Sequence, residues 1–277
     1  MARVPRLLGL HAEPGTVLRA VLAVLPFVLL VVSYLVASDL RNASNPDDKL
    51  LPSFAKMLAA VERMAFTPDR RSGDYLLWVD TLASLRRLLI GAGLAALVGL
   101  WLGLNMGLFP GMRAFTRPVV TFISIVPPLA VLPVLFISFG VGEMAKVVLI
   151  FLGSAFVITR DTLLAVRALP GEQITKALTL GATQLAVVYR VVLPQILPRL
   201  FNAVRLSLGA GWLFLIAAEA VASTDGLGYR IFLVRRYLAM DVIIPYVLWL
   251  TFLGFMLDFL IRRFVSWQFP WYEPTRA

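Results

Sequence analysis

The sequence has no cysteine and a single histidine. No disulfide framework, thiol nucleophile or cysteine-based metal site is therefore available, and His11, in a polar leader, reads as a solvated residue rather than a catalyst. Charge is scarce too: 15% of the 277 residues are Asp, Glu, Lys or Arg, against 60% hydrophobic residues and a mean hydropathy of +0.85. A soluble domain of this length does not carry that balance. The chain also lacks a Gly-x-x-x-x-Gly-Lys-Ser/Thr stretch, so it has no P-loop with which to bind ATP. Basic residues outnumber acidic ones 26 to 16. They are spread between apolar blocks without an aromatic-interleaved basic stretch, which points to membrane sidedness and away from nucleic acid. What is left is an integral membrane protein in contact with lipid.

The apolar blocks predict an all-α chain with six transmembrane helices. Arg3, Arg6 and Arg19 precede a run over 20–37 of about 18 residues, which spans about 27 Å at the helical rise. Val36-Ala37-Ser38 is a faint cleavage pattern, but the run is long for a signal peptide and is expected to stay as the first helix. The chain then divides into a leader over 1–19, the first helix over 20–37, an external loop over 38–81, a core of five helices over 82–265, and a tail over 266–277. The core spans are expected at about 82–108, 119–139, 145–164, 197–222 and 242–261. Counting basic residues places both termini in the cytoplasm. Within the 38–81 loop the charges nearly cancel and 52–64 has helix-compatible periodicity.

Particular residues stand out in the spans. Gly91, Ala95, Gly99, Gly103 and Gly107 recur every four positions and predict a smooth face for close helix packing. Arg86 and Arg87 violate the charge rule and are expected to snorkel or to pair with Asp80. Pro127, Pro128 and Pro133 predict a kinked or partly unwound third span, which would let Ser124 and Ser138 face a translocation path; an ordinary proline-kinked structural helix is the alternative. A tight turn is expected at 140–143. In the fifth span, Trp212 and Glu219 are further candidates for the path. An acid at that depth is costly and needs either an interior to line or a partner, so a gate, a pivot, a solute contact and a structural ion pair all remain open for Glu219. Tyr229, Arg230, Arg235, Arg236 and Tyr237 could meet a binding protein or an anion, or form a solvated amphipathic helix. Trp267, Trp271 and Tyr272 suit an interfacial anchor.

The longest polar interruption in the second half runs over 169–199, LPGEQITKALTLGATQLAVVYRVVLPQILPR. Leu178, Leu180 and Leu185 alternate with Lys176, Thr179, Thr183 and Gln184, predicting a short helix over 175–185 that offers one face to a partner. Gly181 permits a close turn, and Pro194 and Pro198 are expected to end that helix and open the next span. Gly181, then nine residues, then Val191-x-Leu193-Pro194, with Ala177 upstream, resembles the "EAA" loop of ABC importer permeases. Thr175 and Lys176 replace the acid and first alanine of that pattern, and Glu172 lies one turn earlier on the same face. Two further segments, Ile125-Val-Pro-Pro-Leu-Ala-Val-Leu-Pro133 with Phe139-Gly-Val-Gly-Glu-Met-Ala-Lys146, and Ala218-Glu219 with Gly226-Leu-Gly-Tyr229, are similar to the nitrate, sulfonate and taurine branch.

The resemblance implies a non-catalytic permease subunit of the bacterial inner membrane, working by alternating access with a coupling helix between its fourth and fifth spans. It implies a second permease copy, separate ATPase subunits that hold ATP and Mg, no cofactor on this chain, and an external solute-binding protein. Glu172, Thr175, Lys176, Ala177, Gly181, Leu193 and Pro194 would meet the ATPase, with the coupling loop over 169–196. Ser124, Pro127, Pro128, Trp212 and Glu219 would line the path. The solute implied is a small oxyanion or organic sulfonate, with a non-anionic nutrient such as a pyrimidine precursor as the alternative. The rival classes are an ion-coupled secondary transporter, which wants intramembrane acids and finds only Glu219, and a membrane enzyme, for which no catalytic constellation is visible.

Overall fold

A computed structural model of the chain describes residues 15–45, 49–70 and 72–272. His11, Arg3 and Arg6, and most of the expected leader and tail, lie outside the described residues. The described chain folds as α1 (Thr16–Ser44), α2 (Phe54–Ala65), α3 (Leu76–Leu108), α4 (Pro110–Ile125), α5 (Pro128–Phe139), α6 (Glu143–Arg167), α7 (Gly171–Thr179), α8 (Gln184–Val187) running through a π-helical turn (Val188–Val192) into α9 (Leu193–Val221), then α10 (Leu227–Arg235) and α11 (Met240–Gln268).

Five helical rods, α1, α3, α6, α8–α9 and α11, are long and apolar enough to cross a membrane. The span expected over 119–139 as kinked or partly unwound is broken in the structure, and makes a sixth crossing when its two halves are taken as one span. It is two helices, α4 and α5, bent by 95°. Val126 (ψ 122°) and Pro127 (ψ 120°) are both extended, because a residue preceding proline is pushed out of the helical region and two prolines in succession do this twice. Pro133 continues inside α5 without a second break.

The α3 and α6 pair sets the core. A Cβ added at Gly91 would lie 2.7 Å from the Ile150 Cβ, one at Gly99 2.6 Å from the Ile158 Cγ2, one at Gly103 2.5 Å from the Thr162 Cβ, and one at Gly107 2.5 Å from the Val166 Cβ. The expected stripe therefore brings the two backbones into direct contact. Both series rise together, so α3 and α6 run parallel, and the bent α4–α5 pair must return the chain across the bilayer between them. α9 lies antiparallel against both, with the Phe214 ring filling the space left by Gly153, and α10 and α11 close its far side.

Element boundaries depart from the sequence expectations in consistent ways. α1 is longer than 20–37, and α3 begins at Leu76, so the loop between them is shorter than 38–81 and holds α2. The short helix expected over 175–185 is instead α7, which ends at Thr179. Pro194 and Pro198 do not end a helix: one rod runs from Gln184 to Val221, and the wide π turn just before Pro194 absorbs its missing donor and ring. The turn at 140–143 is present, with Gly140 at φ 75°. Among the described residues α1 is tied to the rest through its C-terminal turns, where Tyr34 and Ser38 donate to the Pro52 carbonyl at 2.8 and 3.2 Å. None of its apolar window is buried within this chain.

Candidate functional site

Two polar features sit at opposite ends of the α3–α6 pair. At the end where α3 and α6 finish, α7 turns Ile174 and Ala177 into an apolar cluster with Leu104 and Leu108 of α3, Ala165 and Val166 of α6, Val192 of the π turn, and Leu193 and Ile196 of α9. Its C-terminus closes by two reverse bonds, Gly181 N–H to the Leu178 carbonyl at 3.0 Å and Ala182 N–H to the Ala177 carbonyl at 3.0 Å. This is the glycine-terminated helix cap that needs a left-handed residue. Gly181 supplies it at φ 85°, with nothing within 4 Å of its missing side chain, so conformation and not space requires glycine there. Thr183 caps the next helix by accepting from the Ala186 N–H at 3.2 Å, and Gln195 donates to Gln173 at 3.1 Å, tying α7 to α9.

The opposite face of α7 and the turn after it are open. Glu172, Thr175, Lys176 and Leu178 are exposed, and so are Leu185, Tyr189 and, at 85%, Leu180. Of the residues expected to meet an ATPase, Glu172, Thr175, Lys176 and Gly181 share this open surface, while Ala177, Leu193 and Pro194 are half-buried beneath it. The Thr175 hydroxyl donates back to the Gly171 carbonyl at 3.2 Å.

The other end holds a buried charge network. Asp80, Ser84 and Arg87 follow one another at four- and three-residue steps on the face of α3 that continues into the glycine stripe. Arg87 is 3% exposed and meets three carboxylates: both oxygens of Glu143 at 2.5 and 2.7 Å, Glu219 at 2.7 Å, and Asp225. Its Nη1 also donates to the Asp225 carbonyl at 3.0 Å. The expectation that Arg87 snorkels or pairs with Asp80 is thus corrected: only Arg86 is exposed, and Asp80 is taken by Arg230 at 2.7 Å and by the Tyr246 hydroxyl at 3.1 Å. Lys146 bonds Glu143 at 3.0 Å and the Ser223 hydroxyl at 2.9 Å.

The same network caps α10. The N–H groups of Gly226, Leu227 and Gly228 donate to Asp80 (2.9 Å), Ser84 (2.8 Å) and Glu219 (2.8 Å) in turn. Each satisfies an orphan donor of the helix start, and the two acids oppose its positive pole. Gly226 sits at φ 117°, and a Cβ there would fall 2.5 Å from the Glu219 carboxyl carbon; at Gly228 it would fall 2.9 Å from the Ile216 backbone. Gly226-Leu-Gly228 is therefore wrapped round the Glu219 side chain. Outside the spans, burial works against the charge on Arg230, but its bond to Asp80 outweighs this and holds its pKa above the ordinary arginine value.

The residues expected along the path fall into two groups. Ser124 and Pro127 are exposed at the α4–α5 bend, with Pro128 half-buried beside them and the Ser124 hydroxyl spent on the Thr121 carbonyl. Trp212 and Glu219 are buried in the core of α9. The Glu219 carboxylate is occupied by Arg87, Ser84 and the Gly228 N–H. Sequence reasoning missed Arg87, Glu143, Lys146 and Asp225 as a group; the signal available was the i, i+4, i+7 spacing of Asp80, Ser84 and Arg87 in register with Gly91.

Residues 91–272, from within α3 to the end of the described chain, match the family of binding-protein-dependent transport system inner membrane components; α1 and α2 lie outside the match. The chain is 35% identical over 199 residues to the taurine transport system permease protein of Escherichia coli strain K12, covering 72% of each chain. It is 32% identical over 204 residues to the bicarbonate transport system permease protein of Synechococcus elongatus, covering 73% of this chain and 72% of that one. Its fold is similar to a chain of the MetNI methionine ABC transporter in an inward-facing conformation, with a TM-score of 0.62 and 22% identity over 72% of this chain and 98% of that one.

Proposed function

The chain belongs to the binding-protein-dependent transport system inner membrane components, as an ABC importer permease of the nitrate, sulfonate and taurine branch, and from that premise we propose that it forms the path for ATP-driven import of a small polar solute, an oxyanion or organic sulfonate. ATP and Mg are held by separate ATPase chains, which grip the open face of α7 from the cytoplasm. A second copy of this chain completes the path, and a solute-binding protein delivers to the opposite face. Both termini are then cytoplasmic, since six crossings bring the ends of the chain to the side of α7.

The observation that carries this reading is the surface of α7 and the turn after it. Exposed Leu178, Leu180, Leu185 and Tyr189 lie beside the polar Glu172, Thr175 and Lys176 on a segment whose other face is packed against three membrane helices. An apolar patch with a polar rim is the form of a protein-binding surface. Because α7 is capped at Gly181 and tied through Gln173 to Gln195, a push on it moves the ends of α3, α6 and α9 as a body. That is what alternating access requires of a coupling element. That solute class is supported by the relatives named for taurine, a zwitterionic sulfonate, and for bicarbonate, an oxyanion.

The test is uptake into vesicles holding the chain with its ATPase and binding protein. Uptake is expected with internal ATP and absent without it; uptake driven by an ion gradient alone would return the secondary transporter. Replacing Leu180 by Asp is expected to weaken ATPase attachment by about tenfold or more, the size of a central apolar contact. Thermal shift of the binding protein with taurine, bicarbonate and a pyrimidine precursor decides the solute class.

A further inference from the structure

A long apolar groove lies outside both polar features, between α2, the first turn of α3 and the first half of α11. It encloses 330 Å³, and its walls include Met57, Val61 and Met64 from α2, Leu77 from α3, and Val242 and Phe252 from α11. Water does not suit it: a buried water needs two to four polar partners, and every lining side chain except Tyr246 and Trp249 is purely apolar. The hydroxyl of Tyr246 and the ring N–H of Trp249 are already spent on Asp80 and on Thr81.

Phe54, Leu58, Leu248 and Phe252, which line the groove, are exposed on the described chain, an apolar surface on a membrane-crossing helix that needs a cover. Between Val242 and Phe252 the groove follows α11 for about 15 Å at the helical rise, which is half of a hydrocarbon core about 30 Å thick. One leaflet covers that depth. At the mouth stands Arg63, on the α2 turn that carries Met64, with a side chain 61% exposed and a carboxylate contact to Asp241 at 3.5 Å, next to Val242. An apolar slot one leaflet deep with an exposed guanidinium at its interfacial end complements an acyl chain beneath a phosphate.

We propose that this groove holds one phospholipid, its acyl chain between α2 and α11 and its phosphate on Arg63, so that α2 is cemented to the bundle by lipid. α2 meets the bundle directly through the buried Ala60 and Ala65, the Trp78 indole donating to the Ala65 carbonyl at 3.0 Å and Arg63 reaching Asp241, while Phe54 and Leu58 stand exposed at the groove. A bound chain supplies the apolar contact that the gap leaves out.

The test places a benzophenone side chain at Leu58, a lining position, or at Phe255, an exposed control on α11, in the full chain in vesicles of phosphatidylethanolamine and phosphatidylglycerol. After irradiation, a phospholipid adduct several-fold more abundant at 58 than at 255 is expected, and Arg63→Gln should lower it toward the control while Arg235→Gln leaves it unchanged. Equal adducts at both positions, an adduct indifferent to Arg63→Gln, or cross-linking at 58 to α1 or to a second copy of the chain would each overturn the proposal. Arg63→Gln removes the charge and shortens the side chain, and its circular dichroism and thermal midpoint report whether the fold is intact.

Discussion

Arg87 brings a unit charge into the bundle and leaves it almost no water, so its three carboxylates are a condition of folding. Glu143 and Asp225 keep partial access to solvent, at 61% and 39%, and could be rehydrated if the arginine were lost. Glu219 is fully buried and could not. Arg87→Ala is therefore expected to destabilise by about 3–5 kcal/mol, the cost of stranding a buried charge. Arg87→Met combined with Glu219→Gln should cost less than Arg87→Met alone, a negative interaction that a double-mutant cycle on thermal or denaturant unfolding in detergent would read. Arg87→Lys will not rescue, because an ammonium cannot present the fork that spans Glu143 and Glu219. Two of the glycines at positive φ, Gly181 and Gly226, separate by cause. Gly181→Ala faces open space and should cost about 1–2 kcal/mol, that of a left-handed backbone alone. Gly226→Ala adds collision with the Glu219 carboxyl and should cost more, while Gly181→Asn recovers much of the loss.

The glycine faces of α3 make a sharper case, because the helix carries its own control. Gly103→Val would drive a side chain into Thr162 and into the Thr159 carbonyl, 2.8 Å from the new Cβ, and a backbone atom cannot swing aside. Gly93 has nothing within 4 Å. Gly103→Val should therefore abolish the folded state or lower its midpoint severely, whereas Gly93→Ala should stabilise by about 0.5–1 kcal/mol through helix propensity. The stripe was legible in the sequence because a four-residue repeat of small side chains has no other use in a helix. The α4–α5 break was half legible: consecutive prolines announce that hydrogen bonds are lost, but a bend of 95° depends on what the two halves pack against. The π turn before Pro194 was hidden for the opposite reason, since a helix can pass a proline by widening. The charge network was hidden because the partners of Arg87 lie 56, 132 and 138 residues along the chain, and no local period links them. Glu219 could be picked out by its cost alone; its partner could not.

The two polar features are joined by rods. α3 has 33 residues and reaches about 50 Å at the helical rise, with the α10 cap and charge network at its start and the α7 cluster at its end. Since α3 and α6 touch backbone to backbone along this length, neither can slide past the other without lifting Ile150, Ile158, Thr162 and Val166 out of the glycine stripe. Motion imposed at α7 therefore reaches the far end as a tilt of the whole pair, and the network is where α9 and α10 are fastened to that pair. Defects at the two ends should accordingly differ in kind. Glu172→Lys reverses a charge on the exposed face of α7 without touching the core; in vesicles with the ATPase it is expected to leave ATP hydrolysis running while solute uptake falls. Glu143→Gln removes the most exposed carboxylate of the network, keeps Arg87 paired with Glu219 and Asp225, and leaves the buried Lys146 with the Ser223 hydroxyl and a neutral amide, so the chain should fold with a lowered thermal midpoint and still engage the ATPase. Uptake should then fall at the step where α9 and α10 must move with α3. Hydrolysis and uptake measured side by side on the two variants check this: normal coupling in Glu172→Lys would remove the acidic contact from α7, and unchanged transport in Glu143→Gln would reduce the network to a structural brace.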